Sequence, residues 1–408
     1  MIKVITACTE EIDDIEVAVN SLKDKVNENE LLKNAIGIIS FHREFEMSGV
    51  IENVLKSFEF PIIGITTVLN GIKTKENECF QDELLLSLMV MTSDDVFFDV
   101  NITEEISRAD SSEHICELTK KACDKVLSKP FMDFDVEKPN TIFAFTPNYI
   151  VGHGGHIVDT ISEMFPGVPF FGASAVDDSP NFKEDSFIVT NAGGYRKSYN
   201  AIGFIKIYGN ICPKFYSVSI SEQKILGKQA VITSADNTSI FSLNEKPVID
   251  FLNSLGLTDL LIESGAISEL SLMIKEDDTM PIYSRTMVDF DKEKGVLECG
   301  AFVKEGSILK IGLFERADML SVAEQVLKTA AETAEKENMS LMIIFSCATR
   351  YVVFGADKFS ELELINKFSG NIPYITAYAG GEICPVLKND GSKYVNRYNN
   401  QSFSICII

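Results

Sequence analysis

Three segments of the chain repeat one short pattern, and that repeat limits the fold more than any other feature. Pro61–Thr67 (PIIGITT), Pro169–Ala175 (PFFGASA) and Pro373–Ala379 (PYITAYA) are apolar, β-prone runs of the kind that form buried strands. Each follows a segment of helical pattern, at 50–58, 156–165 and 360–368, and each of those follows another buried strand: AIGIIS from Ala35, TIFAFT from Thr141 and LMIIFS from Leu341. Further upstream, each copy carries a longer amphipathic helix. Its stripes are Ile12, Ile15, Val19, Leu22 and Val26; then Ile115, Leu118, Ala122 and Val126; then Leu320, Ala323, Leu327, Ala330 and Ala334. Spacings of three and four place each set on one helix face. Ser112 and its acidic neighbours suit the N-terminus of the second such helix.

A strand–helix–strand connection requires a right-handed crossover and a parallel pair. The copies then add strands: ELLLSLMVM closes the first, QSFSICII the third, and SFIVTNAGGY and NAIGFIKIYG the second, with a hairpin-like return through Lys197 to Asn200. The expected class is α/β (mixed), with mixed sheets flanked by helices. A stretch without the repeat, about 210–306, holds several β-like runs and one helix near 246–255. It sets the expected division: an N-terminal domain over 1–209, built of copies at about 1–95 and 96–209, and a C-terminal domain over 210–408, with the third copy at about 307–408.

Composition narrows the function. The 408 residues carry 37 Lys and Arg against 60 Asp and Glu, a net charge of -23 that repels nucleic acid and anionic membranes. No run of 18 apolar residues and no signal-peptide pattern occurs, and nine scattered cysteines without a CxxC pair suit free thiols. A cytoplasmic protein without disulfides is expected.

Several further motifs together resemble the FIST family, an N-terminal FIST domain followed by a C-terminal one. FSCATR (Phe345–Arg350) is similar to that family's strand-to-loop motif, YAGGEICP (Tyr378–Pro385) to its Gly-Glu-Ile motif, and NNQSFSI to its final strand. FGASAVDD (Phe171–Asp178) resembles the N-terminal domain's Gly-x-Ser/Ala-x-x-Asp element, and SRTMVDFD (Ser284–Asp291) an Arg-containing strand. Thr376 stands where the family usually has Gly, and Ser402 where Thr is commoner. The resemblance implies a bacterial intracellular sensory module for small ligands such as amino acids. It also implies association with a histidine kinase, a chemotaxis receptor or a cyclic-dinucleotide enzyme.

Residues just past a buried parallel strand lie at the carboxyl edge of the sheet, where α/β proteins place ligands. Such positions hold His42 and Arg43 in the first copy, His153 and His156 in the second, and Cys347 and Arg350 in the third. The expected ligand-binding set is Cys347, Arg350, Tyr378, Gly381, Glu382 and Asn400, with Arg285, Ser174, Asp177 and Asp178 as further candidates. Arg350 would clamp an anionic group, Glu382 would accept from a cationic one, and Tyr378 would wall the pocket. Alternatively, Arg350 and Glu382 pair with each other, and Asp177 and Asp178 cap a turn. The two histidines of HGGH fall short of a zinc set, and GHGG lacks the ending of a phosphate loop, so neither metal nor cofactor is expected. Cys347 as a nucleophile of an enzyme acting on a small anionic substrate, and a protein-interaction scaffold, are the rival functions.

Overall fold

A computed structural model of the chain describes residues 2–107, 111–127, 138–147, 153–179, 185–257, 269–291 and 294–408. The repeat becomes three equivalent units. In each, the two buried strands pair in parallel: Asn34–Phe41 with Ile62–Thr66, Thr141–Thr146 with Phe170–Ser174, and Met342–Cys347 with Tyr374–Ala379. Helices Val50–Ser57, Gly154–Met164 and Ser360–Phe368 make the crossovers. An antiparallel pair lies beside the first strand of each unit. Leu86–Ser93 and Lys3–Thr9 supply it in the first, Gly203–Gly209 and Val96–Ile102 in the second, and Phe403–Ile407 and Lys214–Val218 in the third.

Each sheet is completed by a hairpin from another unit. Asn70–Lys73 and Cys79–Asp82, from the first unit, extend the third sheet beside Tyr374–Ala379. Glu382–Leu387 and Tyr394–Asn399, from the third, extend the second beside Phe170–Ser174. Ile188–Thr190 and Arg196–Ser198, from the second, extend the first beside Ile62–Thr66. The exchange is cyclic. It corrects the expected return through Lys197 to Asn200. The hairpin turns earlier, between Thr190 and Arg196, and 199–202 crosses from the first sheet to the second.

The strands read as continuous apolar runs because both faces are covered. Ile38, Ile65, Phe143, Phe171, Phe345 and Ala377, from the inner faces of the three sheets, share one central core. The helices cover the outer faces: Ala18, Leu22 and Val54 over the first, Ile115, Ile157 and Ile161 over the second, Leu327, Leu362 and Ile365 over the third. Gly64 and Gly172 allow the parallel strands to close, since a Cβ at either would lie 1.8 Å from the carbonyl oxygen of Ile39 or Ala144. Thr376 takes the equivalent place in the third unit, and the room comes from Gly71 on the donated hairpin, where a Cβ would meet the Thr376 methyl at 2.9 Å.

The stretch without the repeat gives Lys214–Val218 to the third sheet and, from Ile225 onward and extended through Ile308–Leu313 into the expected third copy, forms an antiparallel barrel. Its order is Ile225–Asp236, Ile308–Leu313, Leu270–Lys275, Tyr283–Asp291, Val296–Cys299 and Ser239–Leu243, and the last pairs back onto the first. Helix Val248–Asn253 packs on this barrel's own core.

The second long helix begins at Ser112, as expected, and Ser111 caps it: the Ser111 hydroxyl accepts from the His114 N–H at 3.2 Å. Removing such a cap costs about 1 kcal/mol. Ser111→Ala is therefore expected to lower stability by about that amount in urea titrations, with the slope against denaturant unchanged.

Candidate functional site

The carboxyl edges of the three units are filled differently. In the first, Phe41 and Phe45 are fully buried in an apolar cluster. In the third, a buried ion pair fills the edge. Arg350 donates to Glu361 Oε1 from Nε at 3.0 Å and from a terminal nitrogen at 2.5 Å, and both side chains are fully enclosed. Ser346 Oγ and Tyr378 Oη donate to Glu361 Oε2 at 2.5 and 3.0 Å. The other terminal nitrogen reaches the Ser219 carbonyl at 3.3 Å, and the one bonded to Glu361 also reaches the Met319 carbonyl at 3.2 Å. Arg350 thus pairs with Glu361 rather than with Glu382, and every nitrogen of its guanidinium is engaged. Glu361 was missed in the sequence, although its signal was present: it shares a helix face with Ile365 and Phe368, where a charge requires a partner.

Glu382 opens the hairpin that completes the second sheet, opposite Ala173. Its Oε2 accepts from Ser402 N–H at 3.2 Å and from Ser402 Oγ at 2.7 Å. Its Oε1 is buried and accepts from no hydrogen-bond partner. Burial pushes the Glu382 carboxyl up to about 8, against the pull of Ser402, the charge of Arg350 and the neighbouring Cys347 thiol, a weak donor. Cys347 lies next to it. The Cys347 backbone N–H donates to the Ser402 carbonyl at 3.0 Å and its thiol to Thr349 Oγ1 at 3.6 Å. Burial, followed by the charge of Glu382, pushes this thiol up to about 12. A thiol held so far from its thiolate lacks the activation a nucleophile requires.

Asn400 sits across from the barrel, and its Oδ1, also buried, has no partner. Gly300 of the barrel faces it so closely that a Cβ there would lie 3.1 Å from that oxygen. Ser284 Oγ donates to the Asn400 carbonyl, fixing the barrel to this turn. Arg285, 3% exposed, donates to the carbonyls of Phe302, Ser284 and Tyr398 at 3.0, 3.2 and 2.7 Å. Gly381 is required by its neighbour, because a Cβ would stand 2.2 Å from Tyr398 Oη. That hydroxyl is 3.0 Å from Ser174 Oγ, itself 2.6 Å from Thr146 Oγ1.

The structure therefore brings Cys347, Gly381, Glu382 and Asn400 together, with Ser174 beyond Tyr398, and holds Arg350 and Tyr378 in the Glu361 network. Asp177 caps its own loop, accepting from Ser179 N–H at 2.9 Å and from the Asp185 N–H. Asp178 pairs with Arg43 at 2.6 Å and lies 3.6 Å from His42 Nε2, joining the first and second units. His153 and His156 stand 6.2 Å apart between ring centres, and Gly152 of the same motif lies outside the described residues. Among the described residues, no group of three or more His, Cys, Asp or Glu is arranged to hold a metal. A surface cleft of about 600 Å³ opens between helices Arg316–Glu337 and Ser360–Phe368, but none of the unpartnered buried polar atoms lies on its walls. Among the described residues, no helix is long and apolar enough to cross a membrane.

The chain matches the model of the FIST N domain over residues 35–246 and that of the FIST C domain over residues 254–385. No curated protein matches it. Among solved structures, a cyanuric acid hydrolase is similar to 76% of this chain over 99% of its own length, at 8% identity and a TM-score of 0.31. FIST domains are signal-transduction sensory domains. With both domain models matched in order along it, the chain belongs to the FIST family.

Proposed function

We propose that this chain is a cytosolic sensory module that holds a small, amino-acid-like ligand at Glu382 and reports its presence to a partner signalling protein. The observation that carries the reading is the unpartnered Oε1 of Glu382 on a fully buried side chain. A buried polar atom left without a partner costs about 1–3 kcal/mol, which a ligand donor would recover. An ammonium group is the matching donor, and its charge would favour the ionised carboxylate over the neutral form that burial selects. Cys347 lies beside this carboxylate, Gly381 precedes it, and Asn400 follows its cross-strand partner Asn399, while the Arg350–Glu361–Tyr378 network sits at the neighbouring strand ends. The barrel closes over Asn400 through Gly300 and Ser284, so an occupant would bear on the seat of the barrel. A histidine kinase, chemotaxis receptor or cyclic-dinucleotide enzyme would read that change.

A nucleophilic role for Cys347 is disfavoured by its burial and by the direction of its pKa. The test is a thermal-shift screen of the whole chain against the twenty amino acids, since a ligand that binds the folded form selectively raises its melting temperature. A selective rise in the wild type that vanishes in Glu382→Gln supports the reading. No rise with any of the twenty overturns it.

A further inference from the structure

We propose that Arg397, two residues from the Glu382 cross-strand partner, anchors the anionic end of the ligand, a carboxylate held in bidentate fashion. The inference rests on the reading that Glu382 holds the ammonium end. In the hairpin Glu382–Leu387/Tyr394–Asn399, Glu382 pairs with Asn399 and Cys384 with Arg397. Side chains alternate along strands, so Glu382, Cys384, Arg397 and Asn399 share one face of this hairpin. Ile383 and Tyr398, on the other face, are buried under the helices of the second unit.

Arg397 is 8% exposed, and both its Nε and one terminal nitrogen are buried without a hydrogen-bond partner. The other terminal nitrogen donates to Glu276 at 2.6 Å, and the guanidinium carbon lies 4.9 Å from the centre of the Tyr283 ring. Glu276 and Tyr283 therefore fix the plane of the guanidinium, the Asp159 carboxylate lies near it, and two donors make no hydrogen bond. A guanidinium presents its donors in a planar fork that matches a carboxylate, and burial makes unmade bonds of this kind expensive. Asn399 adds a third buried donor without a partner, its Nδ2, on the same face.

The pattern of unmatched atoms is bipolar. Arg397 and Asn399 offer donors, whereas Glu382 Oε1 and Asn400 Oδ1 offer acceptors. Glu382 and Arg397 are diagonal neighbours across the antiparallel pair, a relation that sets their backbones about 7–8 Å apart. Arg350 and Arg285 are the other buried arginines close to this region, and both already donate to Glu361 or to backbone carbonyls.

The experiment uses the full chain, wild type, Arg397→Gln and Arg397→Lys. Lysine keeps the charge and the pair with Glu276 but lacks the fork. The probes are the twenty amino acids, the α-amide of each one that raises the melting temperature, and acetate and inorganic phosphate as bare anions. The inference expects each α-amide to bind at least tenfold more weakly than its acid, and both variants to lose at least tenfold in affinity for the acid per folded molecule, with Arg397→Gln also unfolding at a lower temperature because it breaks the pair with Glu276. It is overturned if an α-amide binds as tightly as its acid, or if either folded variant binds the acid like wild type. If no amino acid binds, yet a bare anion stabilises wild type and neither variant, the Arg397 anion site stands and the amino-acid reading of Glu382 fails. If nothing stabilises wild type, both fail.

Discussion

Arg350→Ala should destabilise the free protein by about 3–5 kcal/mol, the penalty for removing one partner of a buried ion pair. The loss arises because Glu361 would stay enclosed with only Ser346 and Tyr378 as donors, and because the guanidinium also packs near the rings of Phe314 and Phe403, each 5.8 Å away. The double change Arg350→Met with Glu361→Leu should recover most of that stability, since an apolar pair of similar volume is often no worse than the ions it replaces. Urea unfolding of the three variants against wild type measures both effects. An Arg350→Ala protein as stable as wild type that responds more weakly to ligand would instead make Arg350 a recognition residue, the role that its position in FSCATR first suggests.

Glu382→Gln should flatten the pH dependence of stability. The carboxyl has its pKa raised in the folded state, from 4.5 to about 8. Its contribution is therefore fully present below pH 4.5, where both folded and unfolded chains carry the proton. It is lost as pH rises towards 8, because the unfolded chain can ionise and the folded one resists. Across that window the loss is on the order of 4 kcal/mol, from the linkage of about 1.4 kcal/mol per pKa unit. Glutamine cannot ionise and can still accept from Ser402, so the variant should match wild type near pH 4 and exceed it at pH 8. Unfolding measured at pH 4, 6 and 8 decides the matter. Parallel pH profiles for the two proteins would mean that Glu382 does not hold its proton in the fold.

The units themselves were readable because each depends on signals confined to a few dozen residues: two apolar strands, a crossover helix, and the stripe of a preceding helix. The exchange of hairpins was not. Asn70–Lys73 and Cys79–Asp82 are four-residue strands, and nothing in such short segments states which sheet they join. The same gap explains the site. Cys347 and Glu382 could be placed at strand ends from local pattern, but the partner of Arg350 depends on how a helix eleven positions later turns its face. Arg397 lies in YVNRYN, which reads as an ordinary strand with polar residues. Only the packing of Tyr283 and Glu276 against it distinguishes it from a solvated arginine.

The cyclic exchange has a consequence for synthesis on the ribosome. The hairpin 70–82 emerges early, yet its partner strand Tyr374–Ala379 follows almost 300 residues later. Until then, two strand edges have no sheet to join, and exposed edges of this kind invite pairing with other chains. The second sheet likewise waits for Glu382–Asn399. Neither sheet can be finished until nearly the whole chain has been translated, so folding should be slow, dominated by long-range contacts, and sensitive to the supply of chaperones during translation.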